Sequence, residues 1–471
     1  MNGRTHLSAA ILVVITISAC VPVEPTDEDT ADQSGELELA LALDPDRPNV
    51  LQVSWRTEEE SLSALSASWD GSPVLWQGTL QPGVEHRFEI LGLPTSTEIL
   101  IDAWSDGEEL SYQGSAVTVL PALPVSVPVP RVLADLPDAR DPTPYAFLTL
   151  VKQDQTVLEV VDRAGRVCWF HEVGQDALAW GSVPDPSSAT VVALLQHFSS
   201  EDQPSTVERY GLRDGATLSV TEVTRAHHDL EPLPGGRVAY LVEDARPWYS
   251  EERSDWIVVI GDAIEIVELD GSVSTLMSTW DWRDPQDLPL PMNDGYGPGI
   301  DWTHANALRY RPETDSLLVS LRDLHVLIEV DVNTGAVLDE YGETERGYVT
   351  ADDSLPLSEQ HDASFTRDGT LLMVSTPRND DGQPGRQTLA VEYALDEETR
   401  ELVEVWSFGE GLGLFSDTRG GARRLPEGNT LIWWNDPGRQ VWEVQPNGQV
   451  AWKLEPPVGW SLQGAVPFPG F

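Results

Sequence analysis

Four of the nine histidines in this 471-residue chain, His227, His228, His304 and His361, stand at or beside matching places in a recurring unit. His228-Asp-Leu-Glu-Pro-Leu-Pro-Gly-Gly236 and His361-Asp-Ala-Ser-Phe-Thr-Arg-Asp-Gly369 each set a turn glycine eight residues after the first position, then run into an apolar stretch. Gly420-Gly-Ala-Arg-Arg-Leu-Pro-Glu-Gly428 keeps this spacing with no imidazole, so the repeat itself does not require one. His304-Ala-Asn-Ala-Leu308 opens a fourth copy with a longer turn. Converging imidazoles suit two chemistries. One is a metal site, with Asp229 or Asp362 orienting a ring from behind. The other is transfer of an anionic group, in which one His is the nucleophile and the others, with an Arg, stabilise developing negative charge. Arg322, at the end of Leu317-Leu-Val-Ser-Leu-Arg322 and before Asp323-Leu-His325, favours the second. A guanidinium fork matches phosphoryl or sulfuryl oxygens, and a divalent cation beside it would be repelled. No metal and no cofactor is expected. His228 keeps the register to the turn glycine and His227 does not, yet which of them faces the site stays open.

These residues need elements that aim them at one place. Besides the His/Gly copies, strand-like pieces ending in a turn glycine recur as Val157–Gly165, Ile264–Gly271, Leu327–Gly335 and Val441–Gly448. Six such units fit between about residues 145 and 456 with no helical periodicity between them, which predicts a six-bladed β-propeller whose innermost strands line a central channel. Ahead of it, short alternating segments such as Leu51–Trp55, His86–Ile90 and Glu98–Asp102 predict a small immunoglobulin- or fibronectin-like β-sandwich over residues 37–131. A Pro-rich linker, Leu120–Pro130 and Asp138–Pro144, leads to a propeller domain over 140–471. Trp280, Trp282, Tyr296 and Trp302 lie in a Pro/Gly-rich insertion before the fourth unit, where rings would flank an aromatic ligand.

The formal charge is −49: residues 1–36 carry −5, 37–130 carry −11 and 131–471 carry −33. Acid is thus spread over the chain, and with only two lysines and no Arg stripe it argues against nucleic acid as a partner. The first 20 residues read as a signal peptide, with the apolar run Ser8–Ser18 too short to span a bilayer. Ile17-Ser-Ala-Cys20 resembles a bacterial lipobox, which makes Cys20 the lipidated residue and residues 21–36 an acidic tether. The expected location is the periplasmic face of the envelope, lipid-anchored, at the outer rather than the inner membrane. Cys168 is then left without a disulfide partner.

Ala226-His-His-Asp-Leu230, Asp301-Trp-Thr-His-Ala-Asn-Ala307, Ser320-Leu-Arg322 and Gln360-His-Asp-Ala363, with the closing Gly420…Leu425-Pro-Glu-Gly-Asn-Thr-Leu-Ile432, resemble the bacterial arylsulfate sulfotransferases. That family has a β-sandwich ahead of a six-bladed propeller, so the resemblance covers the mature chain. It implies sulfuryl transfer from a phenolic sulfate ester to a phenolic acceptor without a nucleotide sulfate donor. Carried over by position, His361 would form a transient sulfohistidine, His304 and Arg322 would hold the sulfuryl oxygens, and His228 would assist or protonate the leaving phenolate. His227, Asn306, Trp302 and Tyr296 are the expected substrate contacts. A homodimer is possible within such a family, although nothing in the sequence supports it, and the disulfide of enterobacterial-type members has no counterpart here. The competing readings are a non-catalytic scaffold propeller on the membrane and a metal-dependent propeller enzyme.

Overall fold

The computed structural model describes residues 34–471 apart from 44–48, 71–74, 80, 108–110, 154, 175, 186, 198–204, 214, 252, 287–298, 378–384, 386 and 417. The leader, Cys20, the acidic stretch up to residue 33 and Tyr296 therefore lie outside the described residues. What is described is all-β: seven sheets, with one four-residue helical turn at Thr279–Trp282 and three short 3-10 turns.

Seven strands between Ser34 and Val119 form one sheet. Its longest strand, Leu51–Ser68, pairs through its first half with Gly83–Ile90 and through its second with Glu98–Asp106. Alternate residues turn inward, and Leu51, Val53, Trp55, Leu65, Phe88 and Ile101 share one core.

The other six sheets have four or five strands each, and their innermost strands can be numbered in chain order: β1 (Ala177–Asp185), β2 (Ala226–Pro232), β3 (Ala305–Arg311), β4 (His361–Phe365), β5 (Gly421–Arg424) and β6 (Ser461–Phe468). Each packs on the next, and β6 packs on both β5 and β1, so these strands form a closed, propeller-like ring. The chain ends lock it. Strand β6 is the inner strand of the sheet otherwise built from residues 145–173, while Arg131–Asp135 pairs with Val450–Glu455 at the outer edge of the β5 sheet. The stretch 177–223, where the repeat is weakest in sequence, forms a complete four-stranded sheet.

The sheets hold together face to face. Every core cluster in this part of the chain draws on two adjacent sheets, as where Leu241, Ile264 and Met277 meet Leu308, Leu317 and Ile328. A strand covered on both faces needs a continuous apolar run rather than alternation, and Ser316–Leu321 is buried at every residue. Turn glycines fall where the repeats require: Gly369 (φ 79°) closes the turn between β4 and the next strand, and Gly335 (φ 71°) adopts a left-handed turn against the Leu276 carbonyl, where a Cβ has no room. Cys168 is a free, buried thiol.

Candidate active site

Strands β1 to β4 each slip register near their starts, at Ala179/Gly181, His227/Leu230, Ala305/Ala307 and His361/Ser364. A bulge re-aims side chains at the end of a strand, and here it does so toward the ring axis. The backbone is strained to match: His228 (φ 56°), His304 (φ 47°) and Asp362 (φ 57°) are left-handed, a conformation that costs a residue with a Cβ about 1–2 kcal/mol. Such outliers persist only where packing over-determines them.

The bulges open into a cavity of about 280 Å³ whose walls include Trp180, His228, Asn306, His361, Arg419 and Arg423. The His228 ring stands edge-on to His304, with centroids 4.8 Å apart, and packs against Trp180 at 5.5 Å. Arg419 lies over the ring of this tryptophan and donates to its backbone carbonyl. Arg322 opens a 3-10 turn after the second strand of the β3 sheet, and its N–H donates to the His304 carbonyl at 3.2 Å.

Each imidazole is fixed from behind. His361 Nδ1 lies 2.9 Å from the Glu359 carbonyl, which can only accept, so Nδ1 carries the proton and Nε2 keeps its lone pair. Glu359 is held in turn by its N–H donating to His325 Nδ1 at 3.1 Å. Burial, helped by Arg322, His304 and Arg419, pushes His361 down to about 3 against the opposing pull of the Glu359 carbonyl, leaving a neutral imidazole at neutral pH. Burial and the surrounding His227, His304, Arg419 and His361 hold His228 well below its ordinary value. His304 Nδ1 donates to Asp301 Oδ2 at 2.6 Å.

Deeper in the channel, carboxylates and guanidiniums alternate. Arg309 donates to Asp229 at 2.6 Å and also to Asp362, which takes a second bond from Arg423. Asp229 further accepts the N–H groups of Leu230 and Leu308, each at 3.0 Å. Glu231, half-buried beside Arg309, is raised to about 7 because desolvation outweighs that cation. These links tie β2, β3, β4 and β5 together along the wall of the same cavity.

Asp301, His304 and Asp323 bring ligand-type atoms within 4.8 Å of one another, but the set does not suit a metal. Asp301 already takes the His304 proton, and Asp323 pairs with Arg322 at 3.0 Å, a cation that a divalent ion would repel.

Of the residues expected from sequence, His228, Asn306 and His361 line the cavity, and His304 and Arg322 adjoin it. His227 backs His228 rather than lining the cavity, with its Nδ1 2.7 Å from His228 Nδ1. Trp302 is fully buried against Trp280, away from the cavity. Sequence reasoning passed over Arg419 and Trp180. Arg419 carried a signal, since it precedes Gly420 as His227 precedes His228. Trp180 carried none, because its unit lacks the repeated spacing.

Residues 140–440 match the family model described as arylsulfotransferase (ASST). No curated protein matches the chain. Solved structures similar to it include a periplasmic gluconolactonase of Pseudomonas aeruginosa, at 14% identity and TM-score 0.40 over 68% of this chain and 98% of that one. A putative 6-phosphogluconolactonase of Bacteroides uniformis is similar at 10% identity and TM-score 0.38, over 69% and 99%.

Proposed function

This chain belongs to the arylsulfotransferase family, and we propose that it moves a sulfuryl group from a phenolic sulfate ester to a phenolic acceptor through a sulfohistidine, with no nucleotide sulfate donor. The observation that carries this reading is His361: a neutral imidazole whose Nδ1–H is tied to a carbonyl and whose Nε2 is the nitrogen left to react. Nε2 attacks sulfur as the S–O bond to the aryl group breaks, and the departing phenolate takes a proton from His228. An acceptor phenol then attacks sulfur, the S–N bond breaks, and the phenolic proton goes to His228. Splitting one displacement into two gives ping-pong kinetics. Arg322 and Arg419 supply donors and positive charge for the sulfuryl oxygens, with His304 beside them, in a cavity near the ~300 Å³ lower end for small-ligand sites.

In this reading the six sheets of the ring are the blades of a six-bladed propeller spanning residues 140–471, and residues 37–131 are a separate β-sandwich domain. Incubation with 4-nitrophenyl sulfate and a phenol is the direct test. His361→Ala is expected to lose about 10⁴-fold or more in transfer rate; unchanged nitrophenolate release would remove His361 as the nucleophile. The enzyme is further proposed to be held on the periplasmic side of the envelope by lipidated Cys20. Fatty-acid labelling of the expressed protein should disappear in Cys20→Ser, and label that persists would refute the anchor.

A further inference from the structure

Sulfuryl transfer asks His228 for opposite services: an acid when the donor phenolate leaves and a base when the acceptor phenol arrives. What lies behind this residue bears on how it changes role. His227 Nδ1 sits 2.7 Å from His228 Nδ1, and its opposite nitrogen, Nε2, makes a charge contact with Asp262 Oδ1 at 2.9 Å rather than an aligned hydrogen bond. The Asp262 carboxylate is itself held, its other oxygen accepting from Thr303 Oγ1 at 2.5 Å and from the Ala305 N–H at 2.6 Å. Asp262 and His227 are buried, at 3% and 9% exposed, and His228 is half-buried where it lines the cavity. His227 pairs with Leu241 at the edge of the register slip, which leaves His228 and Asp229 without partners on the next strand, so the line is built by the bulge.

We propose that Asp262 and His227 form a proton relay behind His228, letting His228 Nε2 serve as acid in the first half-reaction and base in the second. This rests on the sulfuryl-transfer reading above. In the resting state His227 is protonated on both nitrogens, Nε2–H toward Asp262 and Nδ1–H toward His228, and His228 holds its proton on Nε2. As the aryl S–O bond breaks, the His228 Nε2 proton passes to the phenolate oxygen and the His227 Nδ1 proton passes to His228 Nδ1. His228 is neutral before and after, and its lone pair has moved to Nε2. When the acceptor oxygen attacks sulfur and the S–N bond to His361 breaks, the phenolic proton enters at Nε2 and the Nδ1 proton returns to His227. One proton leaves and one arrives, with no other reactant.

The charges around the pair fit this division. Burial opposes charge on His227, but Asp262, Glu243 and Asp301 face it and together lift it above the ordinary imidazole value. His228 is faced by His304, His361 and Arg419 as well as His227, all of which disfavour a second proton there. The proton shared by the pair is thus drawn to His227.

Two esters of different leaving ability separate a relay from scaffolding. Nitrophenolate departs readily without an acid, whereas unsubstituted phenolate needs one. His227→Gln is therefore expected to lose about 10²-fold in kcat/KM for the donor, which reports the first half-reaction alone, on phenyl sulfate and only a few-fold on 4-nitrophenyl sulfate. An equal loss on both esters would overturn the relay while leaving sulfuryl transfer intact, and absence of turnover of either ester by the wild type would overturn the transfer reading instead. Nitrogen-15 NMR of the His-labelled protein decides the relay without turnover. His227 should be doubly protonated at neutral pH and should lose a proton in Asp262→Asn; a neutral His227 that ignores this substitution would refute the proposal.

Discussion

Strands β4 and β5 are neighbours in the ring and come from copies of one repeat with the same spacing to the turn glycine, yet one begins His361-Asp362 and the other Gly420-Gly421. Alone, the glycine copy reads as the repeat without its chemistry. Side by side, the two are complementary. A Cβ on Gly421 would fall against Asp362 Oδ2 and Trp433 Nε1. The bare start of β5 is the room in which Asp362 reaches Arg309 and Arg423, and that junction adjoins His361, the proposed nucleophile. Strand β4 has a register slip and a left-handed Asp362, while β5 pairs regularly from Gly421 to Arg424. Left-handed residues stand at both places, Asp362 in β4 and Arg419 (φ 67°) just before β5, but only β4 slips register, and its neighbour makes space for it.

Removing the acid should disturb this pairing most. Asp362→Ala would leave two enclosed guanidiniums without their shared carboxylate, and breaking a buried ion pair costs about 3–5 kcal/mol; chemical denaturation measures this, and a loss within experimental error would mean that Asp362 does not join β4 to β5. Filling the space comes next. Gly421→Ala should destabilise by about 1–3 kcal/mol through overpacking and slow transfer as well, because Asp362 must shift under His361. A variant as stable and active as wild type would show that the glycine is incidental.

The third effect is one of pH. His361 is depressed to about 3 in the folded protein by burial first and Arg322 next, against an unfolded value of ~6.5. Between these values the unfolded chain takes up a proton that the folded one refuses. The contribution is complete above the unfolded value and is lost as pH falls toward the folded one, by up to ~1.4 kcal/mol per pH unit. His361→Gln should flatten the decline of stability with acid in that window, whereas β5 offers no such group. Thermal melts from neutral pH down to about pH 4 would reveal it, and identical slopes for the variant and wild type would mean that His361 is not held neutral.

Much of this was readable in advance because repeats leave periodic marks. The His/Gly spacing located β2, β4 and β5, and the turn glycines marked strand ends, since both follow from local backbone requirements. Asp301 stands three residues before His304 in the same motif, but only geometry pairs them. Trp302 looked like a ligand contact by its place beside aromatic residues, and the structure packs it beneath Trp280 instead. Which of His227 and His228 meets the cavity also had no local answer: the bulge in β2 sends them to different environments.

The sequence by itself therefore determined the β character, the repeating units and the residue types able to handle an anionic group, all of which are encoded over a few neighbouring positions. Only the tertiary structure decided the protonation of those groups. The Glu359 carbonyl selects the reactive nitrogen of His361, Asp262 makes His227 the more basic of its pair, and enclosure keeps His228 and His361 neutral. Desolvation and charge pairing depend on what lies within a few ångströms, and here those neighbours come from different sheets that closure of the ring brings together.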